Sequence, residues 1–202
     1  MTQSLCRLDD FKDNCGFGLI AHTKGKANHQ LLQNAIKALT CMTHRGGVAA
    51  DGKTGDGCGL LLQKPDSFLR AVVKDSFDKE LPDLYAVGAI MLNSDNDLRD
   101  QSKAIIEEEL SAQGLEVIGW REVPTDDRCL GPIAIESLPA FEQVFVAPGK
   151  ITEQKIFSAR LYMGRRKAEN RLENDDTFHI ASLGINVLSY KGLMMPVDLP
   201  QF

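Results

Sequence analysis

Hydrophobic positions recur at helical spacing in several stretches of the chain. Between Asn28 and Gly46 they fall three and four residues apart, at Leu31, Leu32, Ala35, Ile36, Leu39 and Met42. This spacing predicts an amphipathic helix with Asn28 as its N-cap and its end near the glycine pair that starts at Gly46. Similar patterns predict a short helix over residues 68–73, a helix that begins at an Asp97 cap and ends before Gly114, and the longest helix over residues 152–172.

Shorter apolar runs predict strands between these helices. They cover residues 15–22, 60–62, 84–92, 116–123, 142–147, 178–183 and 187–193. The strands come in groups separated by single helices, without strict alternation of strand and helix. This order is typical of an α+β fold rather than a doubly wound parallel sheet. We expect the three leucines at 60–62 to be buried. Because an apolar strand stands just before the last residue, Phe202, we expect a piece of a longer domain.

Composition and charge exclude several classes of protein. The formal net charge is -5 and no basic block is present apart from residues 160–167, which we interpret as a solvated helix face, so nucleic-acid binding is not expected. No run of 18 apolar residues suggests a membrane span, and residues 1–14 lack the apolar core of a secretion signal. The five scattered cysteines indicate neither a zinc site nor a disulfide framework, and they favour a reducing cytoplasm.

A phosphate-loop motif occurs between Gly47 and Thr54, which match G-x-x-x-x-G-K-[ST] in full. Its surroundings argue against phosphate binding, because a helix is predicted before the loop and a strand after it. Glycines at 52, 55, 57 and 59 would destabilise a following helix by about 1 kcal/mol each, and Asp51 and Asp56 would repel phosphate. We keep a nucleotide-binding module as an alternative, beside a tight structural loop and a loop that forms the wall of an active site.

One cysteine, Cys15, has the surroundings of a nucleophile. Gly16 and Gly18 flank it and leave room for a substrate to approach the backbone. Removal of residues 1–14 would give Cys15 a free α-amino group, whose pKa near ~8 suits a base at neutral pH. That amine could activate the thiol of its own residue, so no catalytic histidine would be needed. A cysteine in an apolar run is, by itself, more often a small core residue, and the local pattern leaves both interpretations open.

Longer blocks of sequence resemble the glutamate synthase family. Residues 13–21 (DNCGFGLIA) resemble the processing junction of its large chain, and residues 43–47 (THRGG) and 50–60 (ADGKTGDGCGL) resemble its next two blocks. Residues 117–121 (VIGWR) and 188–194 (LSYKGLM) are also similar to that family. The resemblance extends from Cys15 to the last residue and is closest to the bacterial enzymes that use NADPH.

This resemblance implies a class II glutamine amidotransferase domain with the N-terminal-nucleophile fold. Two antiparallel sheets then stack between helical layers in a four-layer αββα sandwich, truncated here. The implied reaction hydrolyses L-glutamine to glutamate and ammonia through a thioester on the mature N-terminal cysteine. Ammonia would travel through an internal tunnel to a separate site for glutamate biosynthesis. There it reacts with 2-oxoglutarate, and the product is reduced on FMN with electrons relayed by an iron–sulfur cluster. The implied partners are the remaining domains of the large chain and a small flavoprotein subunit.

By position, the resemblance makes Cys15 the nucleophile. Residues 1–14 become a propeptide, and residues 15–202 the N-terminal part of the amidotransferase domain. Arg45 matches the arginine of the His-Arg-Gly block, and we expect it to bind substrate and to organise the pocket near Cys15, where a cation also favours the thiolate. Its alternative role is that of a basic residue at a helix C-terminus. No cofactor or metal ligand is expected within residues 1–202.

Two further blocks of the family, Arg-Phe-Ser-Thr and His-Asn-Gly-Glu, are absent from the sequence. The second supplies the oxyanion hole, and loss of one such donor costs roughly 100-fold to 1000-fold in rate. We therefore expect these 202 residues alone to be inactive or nearly so. Two alternatives remain beside the nucleotide-binding module: another hydrolase with an N-terminal nucleophile, and a non-catalytic piece that folds only with its partner domains.

Overall fold

A computed structural model describes residues 15–202, so residues 1–14, the expected propeptide, lie outside the described part. The helices are α1 (His29–Cys41), α2 (Asp66–Phe77), α3 (Asn96–Ser111), α4 (Pro132–Glu136) and α5 (Gln154–Arg171). The strands are β1 (Cys58–Gln63), β2 (Ala86–Leu92), β3 (Glu116–Glu122), β4 (Ala140–Ala147), β5 (His179–Gly184) and β6 (Val187–Gly192). Both element types are present and every strand pair is antiparallel, so the α+β prediction is confirmed.

The helix caps agree in part with the sequence. The side chain of Asn28 accepts the amide of Leu31 at 2.8 Å, which confirms the predicted start of α1. The cap of α3 is Asp95 rather than Asp97, since the Asp95 carboxylate accepts hydrogen bonds from the amides of Asp97 and Leu98 at 3.0 and 3.1 Å. Asp97 instead lies in the first turn, where its charge suits the helix dipole.

The larger sheet has four strands in the order β3-β4-β2-β5. The inner strand β2 is apolar along its whole length, as expected of a strand whose two faces are both covered by other elements. Helices α3 and α5 pack on one face through Ile106, Leu110, Phe157 and Leu161, all buried. Helix α2 and strand β6 pack on the other face, through Leu69, Val73 and Leu188.

Strands β1 and β6 form a separate two-stranded sheet with Leu60 opposite Tyr190. Although β5 and β6 are consecutive, they do not pair as a hairpin, and the chain crosses from one sheet to the other after Gly184. The amide of Ser189 donates to the hydroxyl of Ser182 at 3.0 Å and links the two sheets there. The expectation that residues 60–62 are buried is wrong: Leu60 and Leu62 are half-buried, and Leu61 is 70% exposed because period-2 alternation directs it away from the larger sheet.

Candidate active site

The segment that starts at Cys15 crosses the surface in an irregular conformation. The strand predicted for residues 15–22 is wrong: no helix or strand forms between Cys15 and the start of α1, and Phe17 is 92% exposed. An apolar run becomes a strand only when another strand supplies its hydrogen-bond partners, and none of the described strands lies beside this one. The thiol of Cys15 is therefore free and exposed to solvent.

Arg45 lies beside this segment. After α1 ends at Cys41, residues Thr43–Arg45 form a single tight turn, so the helix stops earlier than predicted. A side-chain carbon placed on Gly16 would stand 3.7 Å from both Cβ and Cγ of Arg45. The stem of Arg45 thus lies close to Gly16, the residue that follows Cys15 in the chain. Within residues 15–202, the Arg45 guanidinium is exposed and takes part in no ion pair.

The histidines nearest in sequence have other positions. The Nδ1 atom of His22 accepts hydrogen bonds from the amides of Lys24 and Lys26 at 3.1 and 3.4 Å, and these bonds close the turn before α1. His44 is exposed in the turn that carries Arg45. Burial lowers the pKa of His179, which lies on β5. No hydrogen bond joins any of these rings to Cys15 among the described residues.

The glycine-rich loop after Arg45 is a short hairpin closed by backbone hydrogen bonds. Val48 pairs with Gly55, the amide of Ala49 donates to the carbonyl of Thr54 at 2.8 Å, and Gly52 takes a positive φ of 70°. The amides of Lys53 and Thr54 donate to the Asp51 carboxylate at 3.0 and 2.8 Å. These amides would have to be free to hold a phosphate, and β1 follows where a phosphate loop opens a helix. The geometry therefore argues against nucleotide binding.

Asp51 is the centre of this loop. Its carboxylate also accepts a hydrogen bond from the hydroxyl of Thr54 at 2.5 Å. A further hydrogen bond, at 3.2 Å, comes from the amide of Ile133 in the first turn of α4. The Thr54 hydroxyl, followed by these amides, holds the pKa of Asp51 well below its usual range. From the sequence, Asp51 and Asp56 were expected only to repel phosphate, and this role of Asp51 was not predicted. The available signal was the aspartate at the start of a turn, a position that favours bonds to backbone amides two residues further on.

Two of the other described cysteines, Cys58 and Cys129, do not resemble nucleophiles. Burial, followed by the charges of Asp198 and Asp56, raises the pKa of Cys58 to about 11. Burial also raises the pKa of Cys129. Within the part of the chain that the structure describes, no group of three His, Cys, Asp or Glu side chains could hold a metal ion. These residues therefore do not fit an iron–sulfur cluster.

Two cavities lie away from Cys15 and Arg45. One of about 380 Å³ lies between Ser137, Asp176, His179 and Phe202. The other, of about 220 Å³, lies between the two sheets beside Leu60, Ala89 and Tyr190. Neither is lined by Cys15 or Arg45, so these two residues face open solvent.

Comparisons with known proteins define the class. A family model described as class-II glutamine amidotransferases matches residues 15–202, and the chain belongs to that family. Its fold is that of the N-terminal-nucleophile hydrolases.

Among individual proteins, the chain is 36% identical over 204 residues to the glutamate synthase [NADPH] large chain of Bacillus subtilis. It is 35% identical over 207 residues to the ferredoxin-dependent glutamate synthase of Pyropia yezoensis, and 34% identical over 197 residues to the glutamate synthase [NADPH] large chain of Azospirillum brasilense. These alignments cover 99%, 100% and 96% of this chain. The chain spans only 13% of the length of each of the three relatives. Over residues 15–202, none of the helices has the length and apolar character needed to cross a membrane.

Proposed function

We propose that this chain is the glutaminase part of a glutamate synthase, with Cys15 as its nucleophile once residues 1–14 have been removed. The observation that carries the proposal is the closeness of Gly16 to the stem of Arg45, directly after Cys15, the residue where the family match begins. It places the stem of an exposed arginine beside the residue that follows an exposed free thiol, at the start of the matched domain. The names of the relatives support glutamate synthase as the particular amidotransferase.

In the proposed reaction, the neutral α-amine of mature Cys15 takes the thiol proton. The thiolate then attacks the carbon of the glutamine side-chain amide, and a tetrahedral intermediate forms. When this collapses, the C–N bond breaks and the α-ammonium returns its proton to the leaving nitrogen, so ammonia departs and a thioester remains. Water next attacks the thioester carbon and gives its proton to the amine. The C–S bond breaks, the α-ammonium returns its proton to the sulfur, and glutamate leaves, so Cys15 is ready for another cycle.

Arg45 binds the substrate in this proposal. An exposed guanidinium suits the α-carboxylate of glutamine, because its paired N–H groups match the two carboxylate oxygens. Cys15 and Arg45 are both exposed among the described residues, so a closed pocket would need further chain of the full-length protein around them. The two sheets with α3 and α5 outside the larger one support a four-layer αββα arrangement that such added chain would complete.

The later steps belong to the rest of the protein. We propose that the ammonia aminates 2-oxoglutarate at a separate site, and that the product is reduced there with FMN and an iron–sulfur cluster. NADPH would supply the electrons through a small flavoprotein subunit. No step of the glutaminase reaction uses these groups.

The proposal is tested on the full-length protein. The N-terminal residue is determined first, and the protein is then treated with a diazo-ketone analogue of glutamine. We expect an N-terminal Cys15, one adduct on that residue by peptide mass spectrometry, and loss of glutamine hydrolysis.

Two substitutions complete the test, one at the proposed nucleophile and one at a control cysteine. Cys15→Ser should abolish both the adduct and thioester-dependent hydrolysis, whereas Cys41→Ser, at another exposed free thiol, should change neither. An adduct on Cys58 or Cys129, or an active enzyme that keeps Met1, would refute the proposal.

A further inference from the structure

The side chain of Asp56 contacts Gly46 and Gly47, the two glycines that follow Arg45. Its Oδ2 atom accepts the amide of Gly47 at 2.9 Å, and its own amide donates to the carbonyl of Gly47 at 3.3 Å. A side-chain carbon on Gly46 would stand 2.7 Å from its Oδ1 atom, so the carboxylate packs directly against this turn. Asp56 thereby fixes the backbone on the C-terminal side of Arg45.

The other side of Arg45 is fixed by α1. The amide of Arg45 donates to the carbonyl of Met42 at 2.8 Å, and the Thr43 hydroxyl donates to the carbonyl of Thr40 at 2.7 Å. The Arg45 backbone therefore has two supports, the end of α1 and the Asp56 carboxylate. The side-chain stem extends from this turn towards Gly16.

Asp56 is itself anchored to the β1–β6 sheet. A side-chain carbon on Gly55 would stand 2.7 Å from the backbone of Met194, and one on Gly59 would stand 2.4 Å from the carbonyl of Tyr190. Only glycine lets two backbone segments approach so closely, so the backbone on both sides of Asp56 packs directly against the segment that carries β6. The sheet, Asp56 and the Gly46-Gly47 turn thus form one continuous connection to Arg45, whose stem lies beside Gly16, the residue after Cys15.

We propose that Asp56 is a positioning residue that sets the place of the Arg45 guanidinium relative to Cys15. This inference rests on the proposed function for its effect on glutamine, but the geometry can be tested without that function. A shift of about 1 Å in a positioned group can cost up to about 100-fold in rate. Among the described residues no hydrogen bond joins Asp56 to Cys15, and in this proposal Asp56 acts through Arg45.

The first test is kinetic and uses the full-length protein. Asp56→Leu removes the acceptor for the Gly47 amide, whereas Asp56→Asn keeps a carbonyl oxygen that can accept it. We expect Asp56→Leu to raise the KM for glutamine about tenfold with a smaller change in kcat, as the loss of a charge-assisted hydrogen bond implies. Asp56→Asn should recover most of that loss, and the exposed control Asp100→Asn should match the wild type.

A double-variant comparison separates positioning from general support of the fold. If Asp56 acts through Arg45, Arg45→Gln combined with Asp56→Leu should have the same KM as Arg45→Gln alone. Additive effects of the two substitutions on KM would overturn the proposal. An equal loss of kcat in Asp56→Leu and Asp56→Asn, without a change in KM, would also overturn it.

The second test does not require glutaminase activity. Iodoacetate is anionic and iodoacetamide is neutral, so the ratio of their alkylation rates at Cys15 measures the cation beside the thiol. We expect Arg45→Gln and Asp56→Leu to lower this ratio, singly and together to the same value, with Asp100→Asn unchanged. An unchanged ratio in Asp56→Leu would overturn the positioning role. If glutamine is not hydrolysed while the ratio responds as expected, the proposed function fails and the positioning role stands.

Discussion

The hydroxyl of Thr54 donates a 2.5 Å hydrogen bond to Asp51, and it also accepts the amide of Ala134 at 3.3 Å from a helix 80 residues further along the chain. Thr54 is only 2% exposed, so both bonds are shielded from water. The glycine-rich loop is thereby attached to the first turn of α4, where backbone amides have no partner within the helix. This attachment is a structural use of residues that match a phosphate-loop motif.

Thr54→Val should loosen this attachment. Valine keeps the shape but neither donates to Asp51 nor accepts the Ala134 amide, and a buried amide without a partner costs about 1–3 kcal/mol. We expect hydrogen exchange of the peptide around Ala134 to accelerate about 10-fold to 100-fold in the intact protein. Thr152→Val, at an exposed threonine, is the matched control. Unchanged exchange in Thr54→Val would mean that the bond contributes little.

The contribution of Asp51 should depend on pH. Because its pKa in the folded protein lies below the unfolded value of about 3.9, ionised Asp51 stabilises the loop. This stabilisation is fully present above pH 4 to 5 and is lost as the pH falls towards the lower folded value. The ratio of loop exchange rates in Asp51→Asn and wild type should therefore be constant near neutral pH and should approach one in acid. A ratio that grows in acid would contradict the assignment, and Asp100→Asn should give a ratio near one throughout.

Gly131 has no room for a side chain. An added Cβ would stand 2.3 Å from the Thr54 hydroxyl and 2.6 Å from its backbone nitrogen. We expect Gly131→Ala to destabilise the contact between the loop and α4 by about 1–3 kcal/mol, as overpacking does. Gly184→Ala is the control, since nothing lies within 4 Å of its added carbon. Equal hydrogen exchange around Ala134 in the two variants would show that the loop can move aside at no cost.

Cys58 should alkylate slowly at moderate pH. With a pKa of about 11, its thiolate fraction at pH 8 is about one in a thousand. Peptide mass spectrometry after timed iodoacetamide treatment should show a Cys58 rate that rises until about pH 11, far behind exposed Cys41 at pH 8. Equal rates for the two cysteines at pH 8 would contradict the burial of Cys58.

The loop should not bind nucleotides. The Lys53 Nζ atom lies 3.3 Å from the carbonyl of Arg128, and the neighbouring amides are bound to Asp51. Titration calorimetry with ATP and magnesium should give no saturable binding to the wild type. Saturable binding that Lys53→Ala abolishes and Lys150→Ala retains would restore the phosphate-loop alternative.

Most of the fold could be predicted from the sequence because its elements are marked by local chemistry. The Asn28 cap, the apolar run of β2 and the long α5 are each encoded within a few residues. The prediction failed for residues 15–22, because an apolar run needs a strand partner that the sequence does not specify. It also could not pair the strands, since β6 pairs with β1 more than 100 residues earlier rather than with adjacent β5.

Less of the candidate site could be predicted from local pattern. Cys15 and Arg45 were selected by a family resemblance, and their roles remain predictions. The roles of Asp51 and Asp56 were not predicted. The sequence around an aspartate in a glycine-rich loop does not show whether the carboxylate repels an anion or accepts hydrogen bonds from backbone amides.

By itself, the sequence determined four of the five described α-helices, most of the strands, the α+β class and the family, because caps, periodicity and motif blocks are local properties. The tertiary structure alone decided that Gly16 contacts Arg45, that Asp56 supports the Arg45 turn and that Thr54 attaches the loop to α4. These contacts depend on close backbone approach between segments that are distant in the chain, and only the packed sheets bring those segments together.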